Sequence, residues 1–275
     1  MRWVTYTGES TGTERVGLLL DDGIHALAAG VQLVNLLHDQ QTRMAAAADW
    51  ARNQPTEVVP LHKATLRAPV PVPPSIREPS ESEDHDRPVF SFIDPATVAG
   101  PADEVKLPAE GDALDVRLEI AAVVGGGGRD LTPEQAEPRI AGFTVMGHWA
   151  TRDAEGQGTG FTTSLGPTLV TPDELAPMRK DKVYDLVMTA SVNGAVRSGA
   201  NLAATRWSFA ELLAHASRGA ELVPGDVIGS GTSGAGCVLE LSLTPGGDES
   251  SWLRPGDVVE FAVAGLGTLT NRVVV

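Results

Sequence analysis

The stretch "LDVRLEIAAVVGGGG", residues 114–128, constrains this chain more than any other. Its apolar and β-branched content predicts a strand, in which positions i and i+2 share a face. Arg117, Glu119, Ala121 and Val123 then lie on one face, and Val116, Leu118, Ile120 and Ala122 on the other. A cation and a carboxylate therefore sit side by side, flanked by apolar residues. They are either a structural ion pair or what is left of a site that held a metal.

Further strand signals follow Pro88, in "PVFSFI", "IAGFTVMGH", "PTLVT", "YDLVMTASVNG", "DVIGSGT", "CVLELSL" and "DVVEFAVAGLGTLTNRVVV". All are short, rich in β-branched residues and bounded by Gly, Pro or Asn-Gly. Two predicted helices interrupt them. One is "TPEQAEPRIAG", with Thr132 as N-cap. The other is "SFAELLAHASRG", where Ser208 and Glu211 have capping-box spacing and Gly219 stands at the C-terminal stop. Mostly β with few helices predicts a large coiled sheet domain and not a doubly wound one.

Before Pro88, residues 1–66 read as a small α+β unit. It has a hairpin at "RVGLLLDDGIHAL" and helical spacing in "VQLVNLLHD" and "RMAAAADWARNQ". Residues 67–87, "RAPVPVPPSIREPSESEDHDR", are dominated by proline and charge and read as linker or loop. Residues 88–275 form the main domain.

Composition narrows the partners. A net charge of −15 over 275 residues repels phosphate backbones and anionic lipid, which argues against nucleic acid and membrane. One cysteine, Cys237, permits no intrachain disulfide, which fits a reducing compartment. No apolar run approaches a bilayer span, and "MRWVTYTGES" lacks the apolar core of a secretion signal. A cytoplasmic location is expected.

In order and spacing, "LDVRLEIAAVVGGGGRDLTPEQAEPRIAGFTVMGHWATRD", "FTTSLGPTLVTPDEL", "WSFAELLAHAS", "LVPGDVIGSGTSGAGCVLEL" and "LRPGDVVEFAVAGLGTLTNRV" resemble the core of the fumarylacetoacetate hydrolase superfamily. The resemblance spans about residues 70 to 275. It implies a mixed β-sandwich roll with a small N-terminal domain, a homodimer, and an active site holding Mg²⁺ or Mn²⁺ on carboxylates. It also implies a small oxo-acid or β-diketone substrate. The cation would polarise a carbonyl or enolate, and a His–Glu pair on a lid would make hydroxide from water.

The chain departs from that pattern at the chemistry. The family's Glu-x-Glu reads Arg117-Leu118-Glu119, and its Asn-Asp reads Gly147-His148, with Arg152-Asp153 retained. Glu78 stands seven residues before His85, where one branch has a metal-binding Asp. Thr159, in Gly158-Thr159-Gly160-Phe161, stands where a lysine would reach substrate, and the segment after His85 is short. Four carboxylates become Glu78, Arg117, Glu119 and neutral His148, a sum of −1. An arginine neither deprotonates nor ligates, so tight Mg²⁺ binding is not expected. Arg117 itself is then a fixed cation in the metal's place. No cofactor is favoured. If a divalent ion (Mg²⁺, Mn²⁺ or Zn²⁺) binds, its ligands are Glu78, Glu119 and His148.

Each residue also has a plainer reading. Arg117 and Glu119 are a reacting pair or a salt bridge in a dead pocket. His148 is an acid/base or a hydrogen-bonded histidine in a vacated ligand position. His85 is catalytic or a solvated loop histidine. Arg152 binds substrate or pairs with Asp153. Gly231 and Thr232, in "GSGTSGAG", hold a substrate carboxylate or make a tight connection. Three functions remain. The first is a metal-free enzyme on a small enolisable carbonyl compound, by tautomerisation, decarboxylation, dehydration or cyclisation. The second is a metal-dependent C–C bond hydrolase. The third is a non-catalytic scaffold.

Overall fold

The computed structural model describes residues 1–8, 12–21, 23–80, 86–108, 113–152, 158–231 and 252–275. The chain opens with antiparallel strands β1 (Arg2–Gly8), β2 (Glu14–Leu20) and β3 (Gly23–Ala26). β2 and β3 form the predicted hairpin, Leu20 opposite Gly23. Gly23 has φ +141°, and a Cβ there would lie 2.6 Å from the Val59 carbonyl oxygen, so glycine is required. Helices α1 (Leu33–Leu37) and α2 (Ala45–Asn53) follow, and their apolar stripe of Leu33, Leu37, Ala48 and Ala51 packs with Trp3, Val16 and Leu18. Short strands β4 (Val58–Val59) and β5 (Ala64–Arg67) complete this unit.

The expected boundary at residue 66 is not a break in the sheet. β1 pairs with β12 (Gly158–Val170), placing Trp3 opposite Leu169. The segment read as linker also holds a strand, β6 (Ile76–Ser80), in which Ile76, Arg77 and Glu78 are buried. Its proline and charge hide it, because its order comes from pairing with distant strands. It runs antiparallel to β7 (Val89–Ile93) and parallel to β17 (Val227–Gly229).

Two short strands, β8 (Val98–Ala99) and β9 (Glu104–Lys106), lead into β10 (Ala113–Val124). The helix predicted at "TPEQAEPRIAG" is a single turn, α3 (Pro133–Ala136), with a 3-10 turn to Arg139. Pro138 cannot continue the helical hydrogen bonds, and Ile140 already belongs to β11 (Ile140–Arg152). Thr132 caps α3 as expected, reciprocated by Gln135. After β12 come a small pair, β13 (Arg179–Lys180) and β14 (Val183–Tyr184), then β15 (Val187–Val192) and β16 (Ala195–Asn201). Helix α4 (Phe209–Ala216) starts at the predicted capping box of Ser208 and Glu211. The chain closes with β18 (Val258–Val263) and β19 (Gly267–Val274).

Among the described residues the main sheet is ordered β4-β3-β2-β1-β12-β11-β10-β17-β6-β7, and a second sheet is ordered β16-β15-β18-β19-β9. The result is the mainly β, mixed-sheet architecture expected. β10 has core on both faces. Val116, Leu118, Ile120 and Ala122 enter the large core shared with α4 and the second sheet. Ala121 and Val123 enter the core shared with α1 and α2. Each buried Val, Leu or Ile among them is worth about 1.5–3 kcal/mol. Arg117 and Glu119 share the face of Ala121 and Val123 but lie toward the other end of the strand.

Candidate active site

Strand register assembles the cluster. Arg117 on β10 stands opposite His148 on β11, which stands opposite Thr163 on β12. Directly opposed residues share a face, so the three side chains form one row. Glu119 is one step along, opposite Met146. The registered pairing of β10 with β17 begins only at Ala121 and Gly229. Glu78 arrives from β6, on the far side of β17. The segment that looks like linker in the sequence thus delivers a buried carboxylate to the cluster.

Arg117 Nη2 lies 2.7 Å from Glu78 Oε1 and donates to Oε2 at 2.8 Å. The Glu78 side chain is 7% exposed and that of Arg117 26%. His148 Nε2 lies 3.9 Å from the same carboxylate, and its Nδ1 shares a hydrogen bond with Thr163 Oγ1 at 3.1 Å. Glu119 is fully buried, and the Gly231 N–H donates to its Oε2 at 3.0 Å. Burial drives the Glu119 carboxyl well above the usual carboxylate range. The charge of Glu78 beside it pushes the same way, and Arg117 and the Gly231 amide oppose only in part. Burial beside Glu78 therefore favours the protonated form of Glu119, which can donate to Glu78, while Arg117 pairs with both Glu78 oxygens. Among the described residues, Glu119 Oε1 and Arg117 Nε have no hydrogen-bond partner.

Two glycines make room. A Cβ on Gly229 would lie 2.6 Å from Glu119 Oε2 and 2.9 Å from Met146 Cε. A Cβ on Gly160 would lie 2.4 Å from His148 Nε2. Neither these glycines nor Thr163 carry a signal in the sequence alone, because only the register shows what they touch.

This cluster does not fit a hard divalent cation. The guanidinium occupies both oxygens of Glu78, and burial raises the Glu119 carboxyl toward its protonated form, so the cluster has little negative charge to offer a cation. Among the described residues, no three His, Cys, Asp or Glu side chains are grouped to hold a metal ion.

Of the other residues singled out in the sequence, His85, Asp153, Thr232 and Cys237 lie outside the described residues. Arg152 and Thr159 stand at the adjoining ends of β11 and β12, with Thr159 opposite Thr151. Arg152 is four residues past His148, about 13 Å along the strand. The Gly231 amide is taken by Glu119. His25 is structural, its Nδ1 lying 2.9 Å from the Ala51 carbonyl oxygen.

The profile of the family described as "Fumarylacetoacetate (FAA) hydrolase C-terminal" matches residues 51–274. The oxaloacetate tautomerase YisK of Bacillus subtilis is 28% identical over 253 residues, 82% of this chain and 80% of that protein. The mitochondrial oxaloacetate tautomerase FAHD2A of Bos taurus is 30% identical over 234 residues, 79% of this chain and 72% of that protein. Among solved structures, the maleylpyruvate hydrolase of Sphingobium sp. SYK-6, in complex with manganese(II) and pyruvate, superposes with a TM-score of 0.79 at 23% identity. That superposition covers 100% of this chain and 99% of the other, and at this identity it speaks for the fold alone. The family match over residues 51–274, together with relatives 30% identical over most of the chain, places this protein in the fumarylacetoacetate hydrolase family of enzymes.

Proposed function

We propose that the chain catalyses keto–enol tautomerisation of a small oxo-acid, with Arg117 supplying the fixed positive charge that stabilises the enolate. The carrying observation is the half-satisfied guanidinium. Arg117 is paired with Glu78 at 2.7 Å, yet among the described residues its Nε has no partner, and a quarter of its side chain is exposed. An arginine serving only as a buried salt bridge would be bonded by the protein on every side. The tautomerase activity named for two relatives supports the reading.

Ketonisation removes a proton from the enol oxygen and adds one to the neighbouring carbon. Arg117 donates hydrogen bonds to the oxygen, where charge develops. His148, oriented by Thr163, accepts the departing proton at Nε2, and the proton that reaches carbon is drawn from buried Glu119 by way of the Glu78 carboxylate beside it. Glu78 lies 3.9 Å from His148 Nε2 and in contact with Glu119. It passes the proton back, so the site resets without net change.

The test follows the loss of enol absorbance when freshly dissolved enol oxaloacetate is mixed with the protein in excess chelator. The expected rate stands above the spontaneous one. It falls about 10²–10³-fold in Arg117→Ala, with Arg117→Lys between. Activity that disappears with chelator and returns with Mn²⁺ would overturn the metal-free mechanism. A folded protein that accelerates no enolisable oxo-acid would overturn the enzyme reading.

A further inference from the structure

A second cavity lies behind the hairpin that carries Glu78. β6 and β7 pair with Arg77 opposite Phe92 and Pro79 opposite Phe90, so these side chains face away from Glu78. On that reverse face Phe90 stacks on His215 of α4, ring centroids 6.1 Å apart and planes at 29°. Beside His215 opens a cavity of about 350 Å³.

Its charges are unusual for so acidic a chain. Arg87 and Arg218 both line it, and neither has a carboxylate at ion-pair distance among the described residues. Two carboxylates also line it. Glu211 is already engaged, with Lys182 Nζ at 2.7 Å and the Ser208 N–H at 2.8 Å. Asp86 offsets one arginine. His215 adds no charge, because its burial and the two nearby guanidinium groups hold its imidazole below the usual histidine range. Among the described lining residues, one cation is left in excess. The remaining wall is mostly apolar, from Pro88, Leu131, Pro133, Trp207 and Ala214, with Thr132 beside them.

We propose that this cavity is a second binding site, separate from the Arg117 cluster, for a small monocarboxylate with a flat apolar body. Arg87 and Arg218 grip the carboxylate with paired N–H donors, and the body lies against Trp207 and Leu131. The single uncompensated cation sets the charge of the ligand, and the volume limits it to about the size of a substituted ring or short unsaturated chain.

The experiment is a calorimetric titration with benzoate as probe and benzamide as its uncharged counterpart. Benzoate is expected to bind saturably, and benzamide to bind about tenfold more weakly or not at all. The Arg87→Ala/Arg218→Ala double variant is expected to weaken benzoate about tenfold or more, and the corresponding double Lys variant to recover part of the loss. Both arginines are exposed, so the fold is retained, which circular dichroism checks. Arg117→Ala is expected to leave the affinity unchanged. The proposal is overturned if benzoate does not bind, if the double Ala variant binds as well as the parent, or if Arg117→Ala abolishes binding.

Discussion

At the scale of single residues, the chemistry rests on clearances that side chains alone do not reveal. Gly160 leaves the space that His148 Nε2 fills, and a methyl group there would collide with the ring at 2.4 Å. Gly160→Ala is therefore expected to displace the imidazole and lower turnover in the proposed tautomerase reaction about 100-fold. Stability should fall by about 1 kcal/mol or less, since the ring can turn toward the opening. Urea denaturation and steady-state kinetics on the same preparation separate the two effects. The pairing of Arg117 with Glu119 on one face is legible in the sequence, because strand alternation alone places them together. Their protonation states are not legible there. That the Glu119 carboxyl is raised follows from complete burial beside Glu78, and burial is a property of the fold.

At the scale of elements, local signals succeed where the interaction is local. Ser208 and Glu211 lie three residues apart and satisfy each other's backbone N–H groups, so the start of α4 is readable from the sequence. Ser208→Ala is expected to cost about 1 kcal/mol in a chemical melt, since it leaves an N-terminal amide of the helix unpaired. The same reasoning fails for β6. Residues 76–80 have no alternating apolar pattern, and their order depends on Val227, Ile228 and the β7 strand far along the chain. The helix expected over residues 132–142 is too long for a similar reason. The β-rich "IAGFTV" joins the sheet because β10 and β12 flank it, and Pro138 marks the stop.

At the scale of the whole molecule, the raised Glu119 carboxyl links stability to pH. A carboxyl that titrates higher in the folded than in the unfolded state keeps its proton after the unfolded chain has lost it. Its contribution is fully present below the unfolded value and is lost as pH rises through the folded one. Glu119→Gln, which keeps the donor toward Glu78 and the acceptor for Gly231, removes this dependence. The variant is expected to gain stability relative to the parent as pH rises above about 5, as read by urea midpoints at several pH values. A gap that stays constant with pH would show that Glu119 is ionised in the fold. The N-terminal unit, which the sequence presents as a small separate domain, is continuous with this same sheet through β1 and β12, and no local pattern announces that pairing. The two-sided burial of β10 has a last consequence, for how such a site can change over generations. Deleting one residue before Arg117 would turn the arginine into the large core and Val116 or Leu118 into the recess, so slips in register are purged as unfolded chains. Single replacements at fixed positions survive. A lineage built on this strand can exchange one chemistry for another, letter by letter, but cannot move the place where the chemistry happens.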